Sequence, residues 1–339
     1  MDSHPQLKQS LRGARGIVLL HTTLFTLWLL LRLLFFNRFW PLALVNTFAE
    51  YLFAPLPLLV LAALLKRNWR LLVPLLIPIL TFTVMFGELF TPRLTDYSTN
   101  RPLDHPTITV MSFNVLWSNT DYPAIAASIR AASPNLVGFQ ELHPENFAGI
   151  VHELEAEYPY HTPLPAEPYG GVGLFSRYPI ESAEPFPLPP RNLSTHAIVD
   201  FNGQPVHVFV VHLSANNFGL FPLDQFAALA SERYASRAAE AAQLETIIAP
   251  LTEPVIMLCD CNFTDTSQAY AQIASFLTDS FREAGWGFGH TLIYPPNRFR
   301  TQRLDYVWHN EAFVAIESTV GQEGGSDHLP IITKLMRSS

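Results

Sequence analysis

Three long apolar runs crowd the first ninety residues of this 339-residue chain, and nothing like them recurs afterwards. Residues 16–36 are interrupted only by His21, a few threonines and Arg32. Residues 39–65 are interrupted by Asn46 and Glu50, and residues 71–90 form the third run. Each is long enough to cross about 30 Å of hydrocarbon as a helix. A cleaved signal peptide accounts for one short apolar region, not three. The expectation is therefore three transmembrane helices, with Pro55, Pro57, Pro74 and Pro78 kinking or breaking the second and third. Glu50 is costly in lipid, so it is expected to be neutral or hydrogen-bonded against the other helices, or near the outer interface.

Charge gives these spans a direction. Lys8, Arg12 and Arg15 precede the first run, and Lys66, Arg67 and Arg70 lie between the second and third. Basic loops stay in the cytoplasm, so three spans put the residues after Phe90 outside it. Trp40 and Trp69 fall where interfacial rings are expected. The spans show neither a chain of charges nor a polar face, which favours an anchor over a transporter.

Beyond the third run the composition inverts. Residues 1–92 carry three acidic and eight basic residues, whereas residues 93–339 carry 26 acidic and 13 basic ones, a net charge of −13. Lys334 is the sole lysine of that part. Such a field opposes long nucleic acid, whose binding rests on Lys and Arg meeting phosphates. Cys259 and Cys261 flank Asp260. Two residues apart on a strand they are poorly placed for a bridge, and they read as small buried core residues.

Residues 91–106 hold Pro92, Pro102 and Pro106 among polar residues and read as a linker. From residue 107 to 339, short strands alternate with helices. Strands are expected at 107–113, 136–140, 171–176, 197–201, 206–211, 255–258, 303–308, 314–320 and 329–334. Asn202-Gly203 marks a hairpin. Helices are expected at 122–132, with Asp121 as N-cap, at 145–157 and at 223–248.

Polar residues recur where these strands end: Asn114, Glu141, His212, Asp260 with Asn262, Asp305, and the pair Asp327-His328. Individually, Asn114 and His212 would pass as ordinary strand-end residues. Carboxylates, amides and imidazoles converging on one cleft suit a hard divalent cation and phosphate chemistry. Arg298, Arg300 and Arg303, just before Asp305, are candidate phosphate contacts.

Seven stretches occur in a telling order: Ser112-Phe-Asn-Val115, Gln140-Glu141, Phe175-Ser-Arg-Tyr-Pro-Ile180, Val211-His-Leu213, Cys259-Asp-Cys-Asn-Phe263, Arg303-Leu-Asp-Tyr306 and Gly325-Ser-Asp-His-Leu-Pro330. Together they resemble the endonuclease/exonuclease/phosphatase superfamily over roughly residues 107–335. The family's glycine before Asp260 is Cys259 here. The resemblance implies a four-layer α/β sandwich, two mixed β-sheets flanked by helices. It implies Glu141 as the principal Mg2+ ligand, with Mn2+ as the alternative ion and Asn114 and Asp327 in support. It implies His328 as general base partnered by Asp305, Asp260 and Asn262 orienting the nucleophile, and His212 at the phosphate or leaving oxygen. The sequence thus points to an anchored phosphoesterase of the cell membrane, acting outside the cytoplasm on a lipid headgroup or other small phosphodiester. An extracytoplasmic nuclease and an inactive tethered binding protein are the rival readings.

Overall fold

The computed structural model describes residues 4–91, 105–163, 171–188, 192–216, 219, 222–294 and 298–338. It divides into two compact units, Met1–Thr91 and Pro92–Ser339. The predicted linker lies mostly outside the described residues.

The first unit holds α1 (His4–Phe35), α2 (Trp40–Thr47), α3 (Leu56–Leu65) and α4 (Leu72–Phe86). Gly13–Phe35 and Trp69–Phe90 are each long and apolar enough to span a membrane. The middle run is a pair of helical pieces, Trp40–Thr47 and Ala49–Leu65, bent by 67°; counted as one span, it makes a third. The prolines explain the break. Pro55 precedes α3 and Pro57 opens it, so neither can donate to a turn before it. Asn46 is fully buried beside the bend. Its Oδ1 accepts from Trp28 Nε1 at 3.0 Å, and its Nδ2 donates to Phe36 O, just past the end of α1. Glu50 sits in a single 3-10 turn, Ala49–Phe53, and is hydrogen-bonded to Tyr51. Phe25, Trp28, Phe53 and Phe86 pack edge-to-face around this point.

The second unit runs β1 (Thr107–Asn114), α5 (Tyr122–Ala132), β2 (Leu136–Leu142), α6 (Pro144–Leu154), β3 (Tyr160–His161), β4 (Gly171–Ser176), β5 (Ile180–Leu188), β6 (Asn192–Asp200), β7 (Pro205–His212), α7 (Phe226–Ile248), β8 (Val255–Asp260), α8 (Gln268–Ile273), β9 (Thr278–Asp279), α9 (Ser280–Ala284), β10 (Leu292–Tyr294), β11 (Phe299–Gln302), β12 (Asp305–His309), β13 (Phe313–Val320) and β14 (Ile331–Arg337). One six-stranded sheet has the order β13-β14-β1-β2-β4-β3, the other β5-β6-β7-β8-β12-β9. Both are mixed: β1 pairs β2 in parallel and β14 antiparallel, and β7 pairs β8 in parallel while β8 pairs β12 antiparallel.

Alternation along the strands builds the four layers. Met111, Phe113, Val137 and Phe139 turn outward and pack with Ile125, Ile129, Ile150 and Leu154 of α5 and α6. Phe209, Val211, Met257, Tyr306 and Trp308 turn outward from the second sheet onto Leu244, Ile248, Tyr270 and Ile273 of α7 and α8. The intervening residues face the opposite sheet. Gly138 marks how closely the sheets approach, since a Cβ there would lie 2.7 Å from Leu258 Cβ.

The expected helices and strands stand close to where the pattern put them, with ends that move both ways: β6 begins earlier, at Asn192, whereas α7 begins later, at Phe226, and α6 stops at Leu154. Asp121 caps α5 through Ala124 N at 3.1 Å. Asn202 and Gly203, both at positive φ, make the β6–β7 turn. The sequence reading overlooked β5, whose Pro185 and Pro187 argue against a strand. It is an edge strand, where missing N–H donors are tolerated. Cys259 and Cys261 are buried in the core as expected, but the expectation that they do not bridge is overturned, because they are disulfide-bonded. Strand β8 ends at Asp260 and the chain curls, bringing the two Cα atoms to 5.2 Å. Two residues apart on a continuing strand span about 6.6 Å.

Candidate active site

The same alternation that builds the core delivers polar groups to one end of it. Asn114 ends β1 and His212 ends β7; Asp260 ends β8 and Asp305 begins β12. His212 pairs with Asp260 in parallel register, and Asp260 with Asp305 in antiparallel register, so the three lie side by side. All four belong to the face turned toward the opposite sheet. Asp327 and His328 arrive from the turn just before β14.

A first hydrogen-bonded chain crosses between the sheets. Asn114 Nδ2 donates to Asp260 Oδ2 at 2.8 Å and to Glu141 Oε1 at 3.1 Å. Its Oδ1 is taken by Leu116 N at 2.9 Å, so its amide nitrogen, rather than its oxygen, faces the carboxylates. Trp117 N holds the other Glu141 oxygen at 3.1 Å. His212 Nε2 lies 3.5 Å from Asp260 Oδ2. Asn262 N donates to Asp260 Oδ1 at 3.1 Å, while its Nδ2 donates to Leu213 O at 3.0 Å. Glu141 and Asn262 both adopt positive φ, 56° and 51°, an uncommon conformation for side-chain-bearing residues that clusters at functional sites.

The second chain is a dyad. Asp305 Oδ2 pairs with His328 Nδ1 at 2.8 Å, and both residues are buried. Asp305 Oδ1 has no hydrogen-bond partner. Asp305, His328 and Asp260 each offer an atom within 4.8 Å of the other two. Burial disfavours a charged imidazole, yet the Asp305 carboxylate, with Asp260, holds His328 well above its usual value. Burial in turn pushes the Asp305 carboxyl up, against the pull of His328. Asp327 is also raised, first by burial and then by Glu141 and Asp260, so these carboxylates crowd one another.

All eight predicted residues therefore gather at this end of the sandwich. Three supports were given no role from the sequence, although Ser326 lies within the Gly325–Pro330 stretch. Ser326 Oγ donates to Asn114 O at 2.7 Å and accepts from His328 N at 3.0 Å, tying the Asp327-His328 turn to β1. Thr291 Oγ1 accepts from Leu304 N and Asp305 N at 3.1 and 3.3 Å. Asn119 Nδ2 donates to Gly324 O at 2.9 Å. A lone Ser, Thr or Asn in a loop carries no signal by spacing. One sequence candidate is corrected: Arg303 is buried and committed to Asp279, with Nη1 and Nη2 donating at 2.9 and 2.7 Å. Arg298 pairs with Glu323, and Arg300 stays exposed on β11.

The donor set suits a hard cation. Glu141 and Asp327 are partly exposed oxygen donors, and Asp260 and Asp305 share the cleft with them. The Asp305–His328 pair is already engaged, which fits proton handling better than metal ligation.

Two face-to-face mixed sheets with this cleft at one end define a metal-dependent hydrolase of phosphate ester bonds. The sequence model of the Endonuclease/Exonuclease/phosphatase family matches residues 111–328, and the chain belongs to that family. No curated protein matches the sequence. Among solved structures, an endonuclease/exonuclease/phosphatase from Beutenbergia cavernae is similar with a TM-score of 0.56 at 22% identity, covering 69% of this chain and 72% of that one. A mannosyl-6-phosphatase from Bacteroides thetaiotaomicron gives 0.52 at 17%, covering 67% and 99%. TDP2 from D. rerio, complexed with single-strand DNA product, gives 0.54 at 16%, covering 68% and 98%.

Proposed function

We propose that this chain is a membrane-anchored, Mg2+-dependent phosphoesterase that cleaves a small phosphodiester outside the cytoplasm. The observation that carries the reading is the paired arrangement at the sheet ends: the Glu141–Asn114–Asp260 chain beside the Asp305–His328 dyad. Glu141 and Asp327 would hold the ion. When bound, Mg2+ supplies charge at the phosphoryl oxygens and offsets the carboxylate field that raises His328.

The chain's own residues do the rest. Asp305 fixes the His328 ring by accepting from Nδ1, leaving Nε2 to take a proton from the attacking water. Asp260 orients that water, and Asn114 and Asn262 hold Asp260 in place by donating to its two oxygens. His212, beside Asp260, donates to a phosphate oxygen or to the leaving alkoxide. Charge developing at phosphorus thus meets fixed donors in a partly buried cleft.

Anchoring is supported by the apolar helices of the first unit. The outer location rests on three spans with basic loops inside, and so on the bent pair crossing as one span. A disulfide at Cys259–Cys261 agrees with an oxidising compartment. The acidic balance of residues 93–339 favours a small substrate over duplex DNA. Phosphatase and DNA-processing neighbours define the panel to assay.

The test uses the full chain in lipid nanodiscs, with a phospholipid, sphingomyelin, single- and double-stranded DNA, a sugar phosphate and a chromogenic phosphodiester. Mg2+-dependent turnover that disappears in His328→Ala and Glu141→Gln supports the reading, and the best substrate fixes the class. Folded protein that turns over none of them, or turnover that survives His328→Ala, overturns it.

A further inference from the structure

Away from the cleft, two imidazoles meet nitrogen to nitrogen on the outer face of the second sheet. His196 of β6 and His207 of β7 share a hydrogen bond between Nε2 and Nδ1 at 3.0 Å, whose proton an ion would replace. Their rings are nearly parallel, with centroids 5.0 Å apart. On its other side His196 lies flat against Phe209, at 4.3 Å and 3°. Strand parity keeps both apart from the phosphoester chemistry: His207, Phe209 and Val211 face outward, whereas His212 faces the other sheet.

Three features make this more than a pair of packed rings. The first is distance. Two nitrogens bound about 2.0–2.1 Å from a zinc-class ion stand roughly 2.9–3.4 Å apart for angles between square and tetrahedral, and 3.0 Å falls in that interval. The second is rigidity. The Phe209 stack fixes the His196 ring, so binding costs little ordering. The third is charge. Glu184 stands directly opposite His196 across the β5–β6 pairing, is exposed, and its charge acts on the ring.

We propose that His196 and His207, completed by Glu184, form a second divalent-metal site that takes an imidazole-preferring ion of the zinc class. Nitrogen ligands suit zinc, whereas the oxygen-rich cleft suits magnesium, so one chain separates two ions by donor type. The three residues come from β5, β6 and β7. A bound ion would pin the edge strand β5 to its neighbours and stabilise that side of the sheet.

The experiment uses the full chain in detergent, stripped with chelator and then kept in excess Mg2+ to fill the oxygen-rich cleft. Zn2+ uptake is read by competition with a chromophoric chelator, and Co2+ uptake by its visible absorption. One equivalent of Zn2+ is expected in the presence of Mg2+, with a rise in melting midpoint. Removing either imidazole should weaken binding by more than the roughly 10–100-fold that a lost outer-shell partner costs. Glu141→Gln should leave Zn2+ uptake unchanged. His196→Ala and His207→Ala are compared with His196→Gln and His207→Gln, and melting in Mg2+ alone shows which variants are folded. No Zn2+ uptake by the wild type in Mg2+, or equal uptake by the folded His variants, overturns the proposal.

Discussion

Replacing Asp279 by Asn tests whether Arg303 is a structural cation rather than a substrate contact. Asp279 accepts from Arg303 Nη1 and Nη2 at 2.9 and 2.7 Å, from Tyr270 Oη at 3.0 Å, and from Phe281 N and Arg282 N at 2.9 and 3.3 Å. Arg303 has a side chain only 3% exposed. Its remaining acid, Asp265, lies 3.4 Å away and is already held by Arg282 at 2.7 Å. Asn keeps the shape and one acceptor for the α9 cap, but leaves the guanidinium buried without its main counter-charge. Removing one partner of a buried pair costs about 3–5 kcal/mol. At about 2–4 °C per kcal/mol for a unit of this size, the midpoint should fall by roughly 6–20 °C. Thermal unfolding followed by near-UV circular dichroism measures it, with hydrogen exchange in β9 and β12 assigning the loss to this unit. At a permissive temperature the KM should not move. A midpoint drop below about 3 °C, equivalent to under about 1 kcal/mol, would refute the argument.

The same packing and hydrogen bonds set three further outcomes. Asp279 sits below its ordinary carboxylate value, because Arg303 outweighs the burial that raises it. Its stability contribution is therefore full above the unfolded value and lost as pH falls through the lower folded one, so the gap between wild type and Asp279→Asn should close only in acid below the usual carboxylate range. Gly138→Ala pushes a methyl into Leu258 between the sheets and should cost about 1–3 kcal/mol, read by chemical denaturation; no loss would mean the sheets have slack there. Asp305→Asn should lower kcat by about 10²- to 10⁴-fold and move the acidic limb of the pH–rate profile to lower pH, since His328 loses the carboxylate that raises it; an unchanged limb would remove Asp305 from that role.

Much of the second unit was legible because its signals are local and periodic. The alternation of residues 107–113, the Asn202-Gly203 turn and the Asp121 cap each depend on neighbours in sequence. The candidate site was legible only as an ordered series, since Asn114 and His212 say little alone. What escaped depends on contacts distant in sequence. Arg303 looks like a free cation until Asp279 and Asp265 close over it. The two prolines of β5 are acceptable only because the strand lies at an edge. The Cys259–Cys261 bridge follows from the chain leaving its strand at Asp260, an event that spacing cannot report. In the first unit the apolar runs were plain, and Pro55 and Pro57 foretold a break, but the angle of the bend depends on how Asn46 and the aromatic rings pack.

Neither sheet owns the cleft. Asn114 and Glu141 belong to the β1–β2 side, Asp260 and Asp305 to the β8–β12 side, and the bonds from Asn114 to Asp260 and from His328 to Asp305 stitch the two together. On the mechanism proposed above, turnover is a gauge of docking between half-molecules. A species with both sheets formed but unclamped would keep nearly all its secondary structure and have no activity. During unfolding, catalysis should vanish with the first separation of the sheets, before the strands themselves come apart.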